Sequence, residues 1–264
     1  MPYAYYCNLT EYPSLATADS LSSAASTLMN LLRVSSYTHV SHIDPVTGAF
    51  HTDCSCLVSY LLKSSGLSAH LEDVPRETND PAVAPPMPRA KEYANFIAGL
   101  SKSGTPRWNA IDDIWRLQHG DLVAWEIPNW KETNRSTGHV VVVVEPPSTS
   151  PFNATLIPVD STSVWVSVLD ASSVKHQWDS RCYILPCRGG VGHGYIRLFG
   201  DAAGRPIAFQ FHDEALVRHY SISIARTSPE RPEHPEESPL HLQRGNYARV
   251  HIPYQLQHIN TNRW

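Results

Sequence analysis

Residues 53–66 read DCSCLVSYLLKSSG and predict a helix that has a cysteine in its first turn. Asp53 is a suitable N-cap, because an aspartate side chain accepts hydrogen bonds from the free backbone N–H groups of a first turn. The side chains at positions 57, 58, 61 and 62 form one apolar face, and Gly66 is suited to end the helix. Cys54 is therefore predicted to lie at a helix N-terminus.

The position of Cys54 suits nucleophilic chemistry. A thiol attacks as the thiolate, and the free N–H groups and the dipole of a helix N-terminus favour negative charge. The same N–H groups, that of Cys54 among them, can stabilise the oxyanion that forms on an attacked carbonyl group. We predict Cys54 as a nucleophile and Ser55 as a contact to the oxyanion or substrate. Cys56 is interpreted as a packed thiol, with the role of nucleophile as its alternative.

Apolar runs in the second half of the chain predict buried strands at 122–127, 139–145 and 164–172. The second run is the most hydrophobic of the three. Pro146 and Pro147 are expected to end it, because proline cannot donate to a ladder of strand hydrogen bonds.

His139 begins this second strand, and a histidine fixed on a strand suits the base that a thiol nucleophile requires. If residues 139–146 and 163–170 are antiparallel neighbours, His139 lies opposite Asp170 and both side chains share one face. A carboxylate at that place can accept a hydrogen bond from one ring nitrogen and leave the other facing the thiol. His176 is the alternative for this third role.

The order of the remaining segments indicates an α+β fold, with N-terminal helices packed on an antiparallel sheet. Helical spacing predicts helices at 16–33 and 89–104, whereas residues 35–52 are interpreted as a polar loop. The GGVGHG run at 189–194 lacks the Lys-Ser/Thr pair and the helix of a phosphate-binding loop, and is interpreted as a flexible turn. Alternating runs predict later strands at 195–199, 207–212 and 220–226.

The composition of the 264 residues, 42% hydrophobic and 17% charged, indicates one large folded domain. We predict it over 1–227, followed over 228–264 by a tether rich in proline and charge and a C-terminal tail. The net charge of −4 argues against nucleic acid or an anionic membrane as partner, and no apolar run reaches the ~20 residues that span a bilayer. No signal peptide is predicted, and cytoplasmic and secreted or periplasmic locations both stay open.

Five cysteines and 14 histidines are present, and neither type shows the spacing of a metal site. No metal and no cofactor are therefore predicted. Five thiols are too few for a disulfide scaffold. Cys182 and Cys187 either close a small loop as a disulfide or remain two buried thiols.

Three motifs together resemble the NlpC-type papain-like cysteine peptidases. DCSCLVSYLLK is similar to their nucleophile helix, HGDLVAW to their Gly-Asp-hydrophobic strand and TGHVVVVV to their histidine strand, in the family's order. The resemblance implies a papain-like fold over roughly residues 30–175, with Asp170 at the family's polar third position. It also implies that Tyr37 matches the family's tyrosine before the nucleophile, which contacts the oxyanion site or the substrate. Cys56 stands where the family usually has glycine. Asp121 in HGDLVAW is interpreted as a structural turn residue.

The resemblance also implies a function, that of a papain-like cysteine peptidase or amidase. The expected reaction is hydrolysis of an amide bond through a thioester on Cys54. The implied substrate is a short peptide containing D-amino acids, such as a peptidoglycan fragment with its cell-wall stem peptide. Acyl transfer or deamidation by the same three residues, and a binding module without turnover, are the alternatives.

Overall fold

The computed structural model describes residues 7, 20–76, 87–100, 104–130, 136–148, 162–183 and 187–228. The chain divides into two compact units, Met1–Glu230 and Arg231–Trp264, and every described residue belongs to the first. Apart from Ser228, the predicted tether and tail lie outside the described residues.

Four α-helices lie within the described ranges: α1 (Leu21–Leu31), α2 (Cys54–Ser64), α3 (Ser68–Asp73) and α4 (Ala90–Ala98). The helix around Cys54 is confirmed, and Gly66 follows it with a φ of +75°, a conformation that glycine adopts without strain. Sequence patterns did not predict α3. None of these helices is long and apolar enough to cross a membrane.

The prediction of a polar loop at 35–52 was wrong, because this segment forms most of a three-stranded sheet. Its strands are β1 (Val34–Tyr37), β2 (His42–Asp44) and β3 (Ala49–Thr52), in the order β1-β3-β2. Ile43 lies opposite Phe50 and both are fully buried, so a single apolar pair anchors the sheet. One such pair among polar residues gives too little periodicity to indicate strands.

The main sheet has seven antiparallel strands in the order β4-β10-β5-β6-β7-β8-β9. The molecule is therefore a mixed α+β protein, as the order of sequence segments predicted. The strands are β4 (Trp108–Ala110), β5 (Leu122–Glu126), β6 (Gly138–Ser148), β7 (Ser163–Ser172), β8 (Gly190–Gly200), β9 (Pro206–Gln210) and β10 (Ile222–Thr227).

The sheet carries a core on each face, which explains the unbroken apolar run of β6. Val140 and Val142 pack in a cluster with residues of α1, α2 and α4, whereas Val141 and Val143 pack in a second cluster on the other face. All four are fully buried. A strand covered on both faces needs apolar residues at every position rather than at alternate ones.

The prediction of where β6 ends was wrong. Pro146 and Pro147 do not end β6, which continues to Ser148. The pairing of β6 with β7 shifts register between Val143 and Glu145 and again before Ser148. A bulged stretch of this kind leaves positions without a ladder partner, so proline is tolerated there.

The GGVGHG run is not a flexible turn, because Gly190, Gly192 and Gly194 lie within β8 on one of its faces. A Cβ at Gly192 would come within 3 Å of the Arg181 side chain, and one at Gly194 would come as close to His176. The glycines therefore make a trough along β8 that receives these two side chains.

Candidate active site

Cys54 occupies the first turn of α2, and Asp53 caps the helix as predicted. One Asp53 carboxylate oxygen accepts from the Cys56 backbone N–H (2.9 Å) and from the Ser55 hydroxyl (3.0 Å), and the other lies 3.3 Å from His39 Nδ1. The Asp53 carboxylate thus caps the helix with one oxygen and contacts His39 with the other. Cys54 is the free cysteine among the described residues, and its side chain is buried.

Cys56 forms a disulfide with Cys7. Both predictions for Cys56, a packed thiol and an alternative nucleophile, were therefore wrong. The bond joins the N-terminal part of the chain to the helix that carries Cys54. Cys182 and Cys187 also form a disulfide, which decides between the two alternatives for that pair. Sequence spacing could not reveal the Cys7–Cys56 bond, because the two residues are 49 positions apart.

His139 lies at the start of β6, opposite Trp125 of β5, and the two rings are 5.2 Å apart. Its Nε2 is 2.5 Å from Oδ2 of Asp170. A carboxylate can only accept a hydrogen bond here, so Nε2 carries the proton and Nδ1 is left for the thiol of Cys54.

The charge of His139 reflects these neighbours. Burial opposes the imidazolium form, but the electrostatic and hydrogen-bonding influence of Cys54 and the hydrogen bond to Asp170 raise the pKa of His139 to about 9. The imidazole is therefore positively charged at neutral pH, and a positive charge beside a thiol favours the thiolate.

The structure brings Cys54, His139 and Asp170 together, but the assumed strand register was wrong by two residues. Val142 lies opposite Leu169, whereas that register would have placed it opposite Ser167. A shift of two residues keeps every side chain on its face, so Asp170 still reaches His139, now along a diagonal. The assumed ladder ran without interruption to Pro146, whereas the real one contains the bulges of β6.

A buried group of charged side chains surrounds Asp170, and the sequence did not predict it. Arg181 Nη1 lies 3.1 Å from Asp170 Oδ1, and His176 Nε2 lies 3.2 Å from Oδ2. Arg181 also donates to both carboxylate oxygens of Asp179, each at 2.7 Å. No sequence motif marks Arg181, which lies in the short 3-10 helix Ser180–Cys182, whereas His176 was the predicted alternative to Asp170.

These neighbours fix the charge of Asp170, which is 1% exposed. Burial alone would raise the pKa of its carboxyl group, but His176, Arg181 and His139 together hold that pKa well below its usual range. Asp170 is therefore held in the carboxylate form, in which it can orient the imidazole and balance its charge.

Tyr37 lies at the site, whereas Ser55 does not face the cavity. Burial, followed by the electrostatic influence of Cys54, Asp53 and Asp170, raises the pKa of the Tyr37 phenol, and its hydroxyl hydrogen-bonds to Ser136. Tyr37 therefore lies close to the thiol. The hydroxyl of Ser55 is instead directed at Asp53, and its role as a substrate contact stays a prediction.

A cavity of about 230 Å³ opens beside the imidazole. Its walls include the side chains of Tyr37, Trp125, Ser136, His139, Phe211 and Tyr220. A larger cavity of about 740 Å³ lies between residues 175–183 and 193–214, and neither Cys54 nor His139 lines it. The smaller cavity is lined by Tyr37 and His139 but not by Cys54, and it is therefore the one that opens at the imidazole of the site.

His139, Asp170 and His176 bring three potential metal-ligand atoms within 4.8 Å of one another. Their separation suits direct hydrogen bonding, since Nε2 of His139 is 2.5 Å from the carboxylate. The guanidinium of Arg181 also lies against Asp170 and would repel a cation. This group therefore fits an orienting network better than a metal centre.

The fold and this geometry define a mixed α+β protein with a buried cysteine, histidine and aspartate in contact. No family model and no solved structure matches the chain. The chain is similar to an uncharacterized protein of Acanthamoeba polyphaga mimivirus, with 27% identity over 180 residues that cover 66% of this chain and 74% of that protein. This likeness names no activity, so the function must be inferred from the site.

Proposed function

We propose that the protein is a papain-like cysteine hydrolase that cleaves an amide bond through a thioester on Cys54. The observation that carries the proposal is a free thiol at a helix N-terminus beside an imidazole that is hydrogen-bonded to a buried carboxylate. Each group has a defined part: Cys54 as nucleophile, His139 as acid and base, and Asp170 as the group that orients His139.

The proposed reaction has two halves. The Cys54 sulfur attacks the amide carbonyl carbon, and the backbone N–H of Cys54 stabilises the oxyanion. The His139 imidazolium then gives its proton to the leaving nitrogen, so that an amine departs and a thioester remains. In the second half His139 takes a proton from water, the hydroxide attacks the thioester, and a carboxylic acid leaves as the Cys54 sulfur is released.

The proposed substrate is a short peptide, with bacterial cell-wall stem peptides as the first class to test. Support for this class comes from the three motifs that resemble those of the NlpC-type peptidases, in the same order along the chain. The Tyr37 phenol beside the thiol agrees with the tyrosine of that family.

The burial of the site supports a second candidate, acyl transfer to an amine or deamidation. Cys54 is 3% exposed and His139 is 8% exposed, so little water reaches the thioester before an acceptor binds. An acyl-enzyme that is shielded from water can react with another nucleophile. Product analysis with and without added amines separates transfer from hydrolysis.

Alkylation by iodoacetamide tests the thiol and its partner. At pH 7 we expect fast labelling of one thiol, Cys54, and a rate lower by about 100-fold in His139→Ala, because the imidazolium that favours the thiolate is gone. His42→Ala, which removes an exposed histidine of β2, is the matched control and should keep the wild-type rate. Slow labelling that is equal in all three proteins would indicate a binding module.

Incubation with peptidoglycan fragments and a panel of peptides tests turnover. Wild type should release products that mass spectrometry identifies, and Cys54→Ala and Cys54→Ser should release none. Release that survives both substitutions would show that the nucleophile is misassigned.

A further inference from the structure

The cavity beside His139 has an aromatic wall. Trp125 packs between His139, at 5.2 Å between ring centroids, and Phe209, at 4.1 Å. Phe211 lies 6.0 Å from His139, with the two rings nearly perpendicular, and Tyr220 lies 5.8 Å from Phe209. A wall of this kind favours an apolar group immediately next to the reacting imidazole.

Arg218 lines the same cavity and is held in place there. Its backbone pairs with that of Phe209 in both directions, at 2.9 and 3.0 Å. Its guanidinium Nη1 donates to the Tyr220 hydroxyl at 3.3 Å. The side chain is exposed, and in the part of the chain that the structure describes it forms no ion pair with a carboxylate.

The charges around the cavity are one-sided. Arg218 and His139 are its cationic residues, and no aspartate or glutamate of the described residues lines it. The pairing groups of a guanidinium, five N–H donors in a planar fork, match the two oxygens of a carboxylate. An anionic group on a substrate would therefore give the Arg218 guanidinium an ionic partner.

We infer that the substrate carries a carboxylate on a residue next to the scissile amide, which Arg218 binds while the apolar part of that residue contacts the aromatic wall. This inference rests on the proposed function, because it places the carboxylate relative to the amide that Cys54 attacks. A peptide offers such a carboxylate either at its C-terminus or on an acidic side chain.

Equilibrium binding to full-length Cys54→Ala tests this without turnover. Two ligand pairs differ only in a carboxylate: N-acetyl-leucine against its amide, and the α-amide of N-acetyl-glutamic acid against that of N-acetyl-glutamine. We expect the acid of at least one pair to bind about tenfold more tightly than its amide in titrations followed by NMR, because a charge-assisted hydrogen bond is gained. The pair that shows the preference identifies the source of the carboxylate.

The role of Arg218 is tested by repeating both titrations with Arg218→Gln added to Cys54→Ala. The preference for the acid should fall to about one, and Arg33→Gln, which removes an exposed arginine that follows α1, should keep it at about tenfold. An acid that binds no better than its amide in both pairs overturns the inference, as does a preference that survives Arg218→Gln.

These outcomes are separate from the fate of the proposed function. The function fails if iodoacetamide labelling of Cys54 does not depend on His139, whatever the cavity binds. The carboxylate inference fails on the titrations alone, even if Cys54 proves to be the nucleophile.

Discussion

The imidazole of His139 lies between two negatively polarised partners, Asp170 on one nitrogen and Cys54 on the other side of the ring. Burial disfavours its charge, and only the two partners together raise its pKa to about 9. A group whose pKa rises on folding contributes stability that is fully present below its unfolded value, about 6.5, and lost as the pH rises through the folded value.

Cys54→Ala should therefore lower the pKa of His139, because the influence of the sulfur disappears while burial remains. An NMR titration of the imidazole resonances measures this directly, with wild type titrating near 9 and the variant at a lower pH. His176, which contacts Asp170 rather than the thiol, serves as an internal reference in the same spectra. A His139 pKa that is unchanged in the variant would contradict the assigned contact between thiol and imidazole.

Arg181→Gln should destabilise the fold strongly, because it leaves the Asp170 and Asp179 carboxylates buried without their shared cation. The Arg181 side chain is 5% exposed, and removal of one partner from a buried pair costs about 3–5 kcal/mol. Arg205→Gln is the matched control, since Arg205 pairs with Asp201 at the surface with 69% of its side chain exposed. That loss should stay below about 1 kcal/mol. Urea unfolding measures both, and equal effects would argue against the buried network.

Among the secondary-structure elements, β8 makes room for the arginine that contacts Asp170. Gly192 lies directly opposite Asp170 of β7, and the stem of Arg181 crosses the place where a side chain would stand. The missing side chain at Gly192 thus leaves the space through which Arg181 reaches Asp170. The same run predicted a turn because glycine also adopts backbone conformations that other residues avoid.

Gly192→Ala should cost about 1–3 kcal/mol of unfolding free energy, because the added methyl group would push Arg181 away from Asp170. Gly99→Ala is the control, since a Cβ at this C-cap of α4 would meet its neighbours at ordinary distances of 3.4 Å and no positive φ is involved. Thermal or urea unfolding compares the two variants. A Gly192→Ala protein as stable as the control would show that the trough on β8 has no steric role.

For the whole molecule, the features that the sequence predicted correctly are those that depend on residues close together in the chain. Asp53 capping α2, Gly66 ending it and the valines of β6 each follow from a few neighbouring residues. The partners of Asp170 were beyond such signals, because Arg181 lies in a 3-10 helix, Ser180–Cys182, that is too short to show a periodic pattern. The register of β6 and β7 failed for a related reason, since bulges depend on packing between strands rather than on composition.

The disulfide between Cys7 and Cys56 has a consequence for how the chain must mature. Any one of the five cysteines can be left over when the other four pair, and only one choice in five leaves Cys54 unpaired. An oxidant that meets the newly made, unfolded polypeptide therefore consumes this sulfur in most molecules. In the folded chain Cys7 already lies beside Cys56 and Cys182 beside Cys187, so an oxidant that arrives after folding joins these pairs and leaves Cys54 free. The yield of competent protein therefore depends on the order of folding and oxidation.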